Sequence, residues 1–165
     1  MNIVNIKGDI TDISNYDLKR ITILCHQTNV HGVYGAGCAL SIKNKFPIAY
    51  KEYNYYCDDN SDINILGNCQ ITNTEYPNIF VANLFGQSDF GTYQRQTNYE
   101  AIYVALEKLK MRVKNEEVTL AFPIGMSSGL GGGNWNIIYT MIVETFKDSN
   151  CTLMFVEYQK LKEKY

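Results

Sequence analysis

Two glycine-rich segments contain the residues whose types and spacing could do chemistry. The first glycine segment, residues 29–40, reads NVHGVYGAGCAL, and the second glycine segment, residues 125–135, reads GMSSGLGGGNW. Each follows a β-branched run and leads into a helical pattern. Helix N-termini at the ends of strands favour anions, and glycine lets the backbone approach a phosphate closely. The pair therefore predicts a site that holds phosphate through main-chain amides.

Neither segment fits the common nucleotide-binding motifs. A P-loop needs a lysine directly after its last glycine, and neither segment has one. The dinucleotide fingerprint G-x-G-x-x-G fails because GAGCAL has Leu40 in the third glycine position. That segment also follows the second predicted strand, whereas the fingerprint normally follows the first. A conventional nucleotide triphosphatase or dehydrogenase is thus disfavoured, and tight turns without a ligand are the alternative left open.

The elements that must position these segments alternate along the chain. Six short runs rich in β-branched or apolar residues predict strands, and helical patterns lie between them. This alternation is typical of a three-layer α/β/α domain with a central mixed sheet of about six strands. The predicted strands are residues 2–7, 21–27, 66–72, 78–84, 118–124 and 151–158.

Four helical patterns complete this expectation. One follows the first glycine segment at once, and the next begins at Pro47, which suits a first helical turn. The two later helices have Asn98 and Asn134 as predicted N-caps. The apolar face of the third helix is predicted as Ile102, Ala105, Leu106, Leu109 and Val113, and that of the fourth as Trp135, Ile138, Met141, Ile142 and Thr145.

Length and composition limit the class of protein. The chain has 165 residues, of which 45% are apolar and 19% charged, and it shows no internal repeat or linker. We expect one domain over residues 1–158 and a solvated tail over 159–165. The net charge of −2 and the pI of about 5.7, without a basic stripe, argue against general nucleic-acid binding.

The cysteines and the N-terminus indicate neither a metal nor a membrane. Five cysteines are scattered without CxxC pairing, so no zinc site and no disulfide framework are expected. The N-terminus is too polar for a signal peptide, and no apolar run approaches membrane length. We therefore expect a cytoplasmic, monomeric protein with reduced thiols, no cofactor and no membrane contact.

Five motifs together resemble the macro domain, the module that binds ADP-ribose. The chain is most similar to the branch that holds yeast-type ADP-ribose-1''-phosphate phosphatases, terminal ADP-ribose glycohydrolases and antitoxin macro domains. Small single-domain members are common in bacterial and phage genomes. The motifs are KGDI at 7–10, the run at 26–53, VANLFGQ at 81–87, TNYEAI at 97–102 and FPIGMSSGLGGGNW at 122–135.

The resemblance implies which residues would bind the ligand. Asp9 would accept a hydrogen bond from the adenine amine, with Ile10 against the same ring, and Asn29 would point toward the terminal ribose. Phe85 and Gln87, expected to follow the fourth strand, would border the distal end of the cleft. Gly35, Ala36, Gly37 and Cys38 would surround the terminal ribose and its phosphate, and Ser127, Ser128, Gly129, Leu130, Gly131 and Gly132 would hold the diphosphate.

For two of these residues a purely structural role is the open alternative. Asp9 could instead cap the segment 10–16, and Asn29 could simply brace a turn. His26 lies on a predicted strand and is expected to be buried and hydrogen-bonded, and Cys38 is expected to be a packed small residue rather than an activated thiol.

Whether the site does chemistry depends on few residues. Glycohydrolase members use a lysine just after the fourth strand, but LFGQ at 84–87 contains none, so lysine-dependent catalysis is disfavoured. Removal of a phosphate or acyl group from the terminal ribose remains, with Asn29 orienting the sugar and His31 as the candidate base. Asp89 and Glu100 are weaker acid–base candidates. The alternatives are a non-catalytic reader of ADP-ribosylated macromolecules and an antitoxin-like eraser of the modification.

Overall fold

The computed structural model describes residues 1–91 and 93–160 and contains one six-stranded sheet with helices on both faces. Residues 161–165 of the predicted tail lie outside the described residues. The strands are β1 (Asn2–Gly8), β2 (Thr22–Asn29), β3 (Cys69–Thr72), β4 (Ile79–Gln87), β5 (Thr119–Pro123) and β6 (Thr152–Tyr158). The helices are α1 (Gly37–Lys45), α2 (Pro47–Asp59), α3 (Tyr99–Val113) and α4 (Trp135–Phe146), and a short 3-10 turn spans Ile13–Asn15.

The sheet is mixed, with the strand order β1-β6-β5-β2-β4-β3. Every neighbouring pair is parallel except β3 and β4, which are antiparallel. The central strands β2 and β4 are buried along nearly their whole length, which explains why each has an apolar run near its start, ILC in β2 and IFVA in β4, rather than alternating. The predicted six-stranded mixed sheet is therefore confirmed.

Two apolar cores lie on opposite faces of the sheet. On one face α3 and α4 pack through residues such as Leu106 and Ile142, and Trp135 lies partly buried against that core as expected. On the other face α1 and α2 pack through residues such as Ile42 and Tyr53, with Phe46 buried between the two helices. The three layers are those predicted, and they fix the carboxyl ends of the strands along one edge.

The helix boundaries follow the predicted signals. The side chain of Asn98 accepts a hydrogen bond from the N–H of Ala101 at 3.0 Å, and that of Asn134 accepts one from Asn136 at 2.9 Å. Pro47 occupies the first turn of α2. Within the described ranges no helix is long and apolar enough to cross a bilayer.

Candidate functional site

The two glycine segments lie side by side at the carboxyl edge of the sheet. The strands that precede them, β5 and β2, are parallel neighbours, so both segments emerge at the same edge. Between them lies a cavity of about 770 Å³. This volume falls within the roughly 300–1,000 Å³ typical of small-molecule sites.

The strand order spreads the cavity wall across five strands. Asp9 follows β1 at one end, and Gln87 closes β4 at the other, with β6, β5 and β2 between them. Four inter-strand steps of roughly 4.8 Å make a span of about 19 Å. The site is therefore an elongated groove with a carboxylate at one end and the glycine segments at its centre.

The first glycine segment delivers the N-terminus of α1 to the cavity. Residues 35–39 line the wall, and Gly37 adopts a φ of +57°, which favours glycine. Ala36 caps α1 without a side-chain hydrogen bond. The first-turn N–H groups of this helix thus have no side-chain cap and form a natural anion site.

Asn29 shapes this segment through its side chain. Its Nδ2 donates to the Val33 carbonyl at 2.8 Å, and its Oδ1 accepts from the His31 N–H at 2.9 Å. The Tyr53 hydroxyl donates to the Asn29 carbonyl at 2.8 Å and lies 3.0 Å from Oδ1. Asn29 is only 5% exposed, yet it lines the cavity. The structure therefore shows the turn-bracing role that the sequence left open, on a residue that also lines the site.

The second glycine segment contains a serine with a strained backbone near its start. Ser127 has a φ of +68°, an uncommon value for a residue with a side chain, and such strain concentrates at functional sites. Ser127, Gly129, Leu130 and Gly131 line the cavity. Of the residues expected to grip the diphosphate, Ser128 and Gly132 do not line it: the Ser128 hydroxyl turns back to the Gly125 carbonyl at 2.6 Å.

Asp9 and Ile10 form the far end of the groove. The Oδ1 of Asp9 accepts from the N–H of Thr11 at 2.8 Å and from its hydroxyl at 2.7 Å. Oδ2 has no hydrogen bond to the described residues, so one carboxylate oxygen remains for a ligand donor. Asp9 therefore caps the start of segment 10–16, which is the structural role that the sequence left open, while the 3-10 turn within that segment is capped by Asp12, whose Oδ1 accepts from the Ser14 N–H.

The cavity wall also contains buried polar atoms without partners. The hydroxyls of Thr28 and Ser127 and the Oε1 of Gln27 have no hydrogen bond within residues 1–91 and 93–160, and all three residues line the cavity. An unpaired buried polar group costs about 1–3 kcal/mol.

His26 is a buried structural histidine, as predicted. Its Nε2 lies 2.7 Å from Asn83 Oδ1 and 3.0 Å from the Tyr34 hydroxyl, which also hydrogen-bonds Asn83. Burial lowers the pKa of His26 to about 4, although the hydrogen bond to Asn83 acts in the opposite direction. His26 is therefore neutral near neutral pH.

This histidine makes stability depend on pH. In the unfolded chain His26 takes up a proton near its ordinary pKa of 6.5, whereas in the folded protein it stays neutral down to about 4. Acidification therefore favours the unfolded state, and the free energy of unfolding should fall by up to about 3 kcal/mol across this window. Urea unfolding at pH 7 and pH 5 measures the fall.

The control for this prediction is the other histidine. His31→Gln removes a half-exposed side chain and should leave the pH dependence intact, whereas His26→Gln should reduce it. An equal pH dependence in wild type and His26→Gln would contradict the assignment.

His31, the candidate base, does not line the cavity. Its side chain is half exposed, its Nε2 lies 4.0 Å from Asp89 Oδ1, and its ring packs edge-on against Phe90. Phe90 and Gly91 do line the cavity. His31 thus joins the first glycine segment to the segment after β4 beside the wall rather than within it.

The placement of Phe85 in the cleft is wrong. β4 runs on to Gln87, so Phe85 lies within the strand, fully buried against Tyr53 and Tyr56 in the core under α2. Gln87 does line the cavity, but as the last residue of the strand rather than beyond it.

Cys38 lines the wall but is not an activated thiol. Desolvation raises its pKa to about 12, and the nearby Asp9 carboxylate adds to the rise. A nucleophilic cysteine needs the opposite shift. Within the described part of the chain, no group of three or more His, Cys, Asp or Glu side chains is arranged to hold a metal ion.

Several lining residues were missed from the sequence. Tyr158 and Val156 reach the cavity because β6 lies between β1 and β5, a neighbourhood that only the sheet order reveals. Gln27 and Thr28 belong to the polar end of β2, where two polar residues after an apolar run were the available signal.

Comparison with known proteins gives relatives by sequence and by structure. No family model matches the chain. An ADP-ribose 1''-phosphate phosphatase of Candida albicans is 41% identical over 91 residues, and the chain spans 56% of its length. A Saccharomyces cerevisiae protein of the same name is 27% identical over an alignment that covers 92% of this chain and 97% of that protein.

Solved structures share the fold over nearly the whole chain. A macrodomain protein from Streptomyces coelicolor has a TM-score of 0.73 and 26% identity, covering 93% of this chain and 98% of that one. The DarTG protein of Thermosipho africanus, solved in complex with ADP-ribose, has a TM-score of 0.67 and 18% identity, covering 88% of this chain and 40% of that one.

Proposed function

We propose that this chain is a macro domain that binds ADP-ribose and hydrolyses free derivatives that carry a phosphate or acyl group on the terminal ribose. The observation that carries the proposal is the order of groups along one groove. A carboxylate lies at the β1 end, two glycine segments lie at the centre, and polar strand ends lie toward β4. A nucleobase, a diphosphate and a second ribose follow one another in the same order.

The charges of the groove support this orientation. Among the described lining residues there is no lysine or arginine, and Asp9 is the only charged side chain. A diphosphate must then be held by main-chain N–H groups and by the dipole of α1. Because Asp9 would repel phosphate, it belongs at the nucleobase end, where its Oδ2 can accept from an exocyclic amine.

The hydrolytic step is assigned to Asn29 and His31. Only one hydrogen bond from Asn29 Nδ2 is made to the described residues, so its second hydrogen is available to orient the terminal ribose. His31, with Asp89 at 4.0 Å, would activate water at a group that projects past Phe90. Gln87 stands near the end of β4 and cannot form a Schiff base, which speaks against lysine-type glycohydrolysis.

The names of the relatives agree with this reaction. Both yeast proteins bear the name of a phosphatase acting on ADP-ribose 1''-phosphate, and the Thermosipho structure holds ADP-ribose. The chain spans only about half the length of the Candida relative, so that match supports the phosphatase activity without showing it for this chain.

Calorimetry with ADP-ribose tests the binding, and phosphate release from ADP-ribose-1''-phosphate tests the reaction. We expect micromolar binding, and a loss of turnover in His31→Gln with binding unchanged. Absence of binding at millimolar ADP-ribose would refute the proposal as a whole.

A non-catalytic reader is the second candidate. It is favoured by the position of His31 outside the cavity wall, which leaves neutral His26 as the histidine that lines it. Turnover of ADP-ribose-1''-phosphate or of O-acetyl-ADP-ribose by the wild type would eliminate the reader, and tight binding without turnover would support it.

A further inference from the structure

We propose that Thr97 is a positioning residue that holds the second glycine segment in the conformation that binds the ligand. The proposal deepens the proposed function and rests on it for the identity of the ligand. Thr97 precedes α3 and lies outside both glycine segments, and it is 3% exposed.

The hydroxyl of Thr97 serves both as acceptor and as donor. It accepts from Gln27 Nε2 at 3.0 Å and donates to the carbonyl of Ser127 at 2.9 Å. The same carbonyl accepts from the N–H of Gly133 at 2.7 Å. Ser127 is the residue with the left-handed backbone, so Thr97 fixes the carbonyl of the strained position.

The backbone around Thr97 holds the segment as well. The N–H groups of Gln96 and Thr97 both donate to the Gly131 carbonyl at 3.0 Å. The packing is tight, since a Cβ at Gly131 would lie 2.5 Å from Thr97 Oγ1 and one at Gly133 would lie 3.1 Å from Thr97 Cγ2. The second glycine segment is therefore held by the backbone of Gln96 and by both the backbone and the side chain of Thr97.

A chain of hydrogen bonds extends from Thr97 to the β4 end of the groove. Gln27 Nε2 also donates to Gln87 Oε1 at 2.7 Å, and Gln87 Nε2 donates to the Asp89 carbonyl at 2.7 Å. Phe90 and Gly91, which line the cavity, follow directly. Thr97 thus links the second glycine segment to the segment after β4, which would lie beside the terminal ribose.

This arrangement has an energetic consequence for binding. Glycine-rich segments lose much conformational freedom when they are ordered on a ligand. A segment already held in shape pays less of that cost at the moment of binding. Removing the Thr97 hydroxyl should therefore weaken affinity for the part of the ligand that the segment holds, the diphosphate.

The test compares Thr97→Val with Thr97→Ser. Valine keeps the shape but can neither accept from Gln27 nor donate to Ser127, whereas serine can do both. By calorimetry we expect Thr97→Val to weaken ADP-ribose and ADP binding by about tenfold or more and adenosine binding by less than about threefold. Thr97→Ser should stay within about threefold of wild type for all three ligands.

A readout without ligand separates this proposal from the proposed function. Hydrogen exchange at the Gly133 amide, which donates to Ser127, should speed up in Thr97→Val and remain slow in Thr97→Ser, whether or not ADP-ribose binds. If wild type fails to bind ADP-ribose, the proposed function is refuted while the exchange result still decides on Thr97.

A second variant covers the case in which Thr97→Val does not fold. Gln27→Met removes the donor to both Thr97 and Gln87 while keeping side-chain length, and should weaken ADP binding and speed the same exchange. Equal losses for adenosine and ADP, or unchanged exchange in a folded Thr97→Val, would overturn the positioning role.

Discussion

Gly131→Ala is expected to weaken ADP-ribose binding about 100-fold or more. Its new Cβ would lie 2.5 Å from Thr97 Oγ1, 2.9 Å from Gln27 Nε2 and 2.9 Å from the Ser127 carbonyl. Because the last of these atoms is backbone, side-chain rotation cannot relieve the clash, and the segment must move. A displacement of roughly 1 Å in a positioned site is enough for an effect of this size.

The comparison variant is Gly129→Ala in the same segment; because Gly129 also lines the cavity, it is a control for folding and not for affinity. A Cβ at Gly129 meets nothing within 4 Å, and neither glycine has a positive φ, so the chemical change is the same without the clash. We expect Gly129→Ala to keep the thermal midpoint of wild type and Gly131→Ala to lower it. Calorimetry with ADP-ribose then measures the affinity of each, and wild-type affinity in Gly131→Ala would contradict a diphosphate site at this segment.

The layers, the six strands and the two glycine segments could be predicted because their signals are local. Continuous apolar runs indicate buried parallel strands, and capping residues such as Asn98 and Asn134 mark helix starts without reference to the rest of the chain. That both segments meet at one edge followed from the rule for parallel strands.

The ends of the strands could not be predicted as well as their centres, and the wrong placement of Phe85 follows from this. β2 and β4 pair in register as far as Thr28 with Phe85 and, past an irregularity, Asn29 with Gln87. The sequence pattern ended the second strand at residue 27 and the fourth at residue 84, short of the observed ends at Asn29 and Gln87. Since side chains alternate along a strand, two extra residues of pairing decided that Phe85 faces the core under α2.

Contacts between residues far apart in the sequence could not be predicted from local sequence patterns. His31 is next to Gly32, whose φ of +76° turns the chain so that Val33 and Tyr34 line the cavity and His31 does not. Thr97 contacts Ser127 from thirty positions away. A hydroxyl in a connecting segment has no pattern that predicts such a partner.

Asn29→Asp is expected to be the most damaging single-atom change in the first glycine segment. The substitution keeps an acceptor for the His31 N–H and the Tyr53 hydroxyl. It also places a carboxylate oxygen where Nδ2 now donates to the Val33 carbonyl at 2.8 Å. An uncompensated charge at this buried site should lower the free energy of unfolding at pH 7 by about 3 kcal/mol. It should also repel a bound diphosphate and abolish turnover.

Acid should reverse part of this loss. Burial disfavours the charged carboxylate, and a protonated one can again donate to the Val33 carbonyl, so the stability gap between Asn29→Asp and wild type should narrow as the pH falls. Urea unfolding of both proteins at pH 7 and pH 5 measures that gap, and the effect of His26 cancels in the difference because both proteins contain it.

The control is Asn78→Asp, which loses an exposed hydrogen bond from Asn78 Nδ2 to the Leu18 carbonyl and should lower the free energy of unfolding by less than about 1 kcal/mol at either pH. A gap for Asn29→Asp as small as for Asn78→Asp would show that the first glycine segment does not depend on the Asn29 amide, and the assignment of that residue to the site would fall with it.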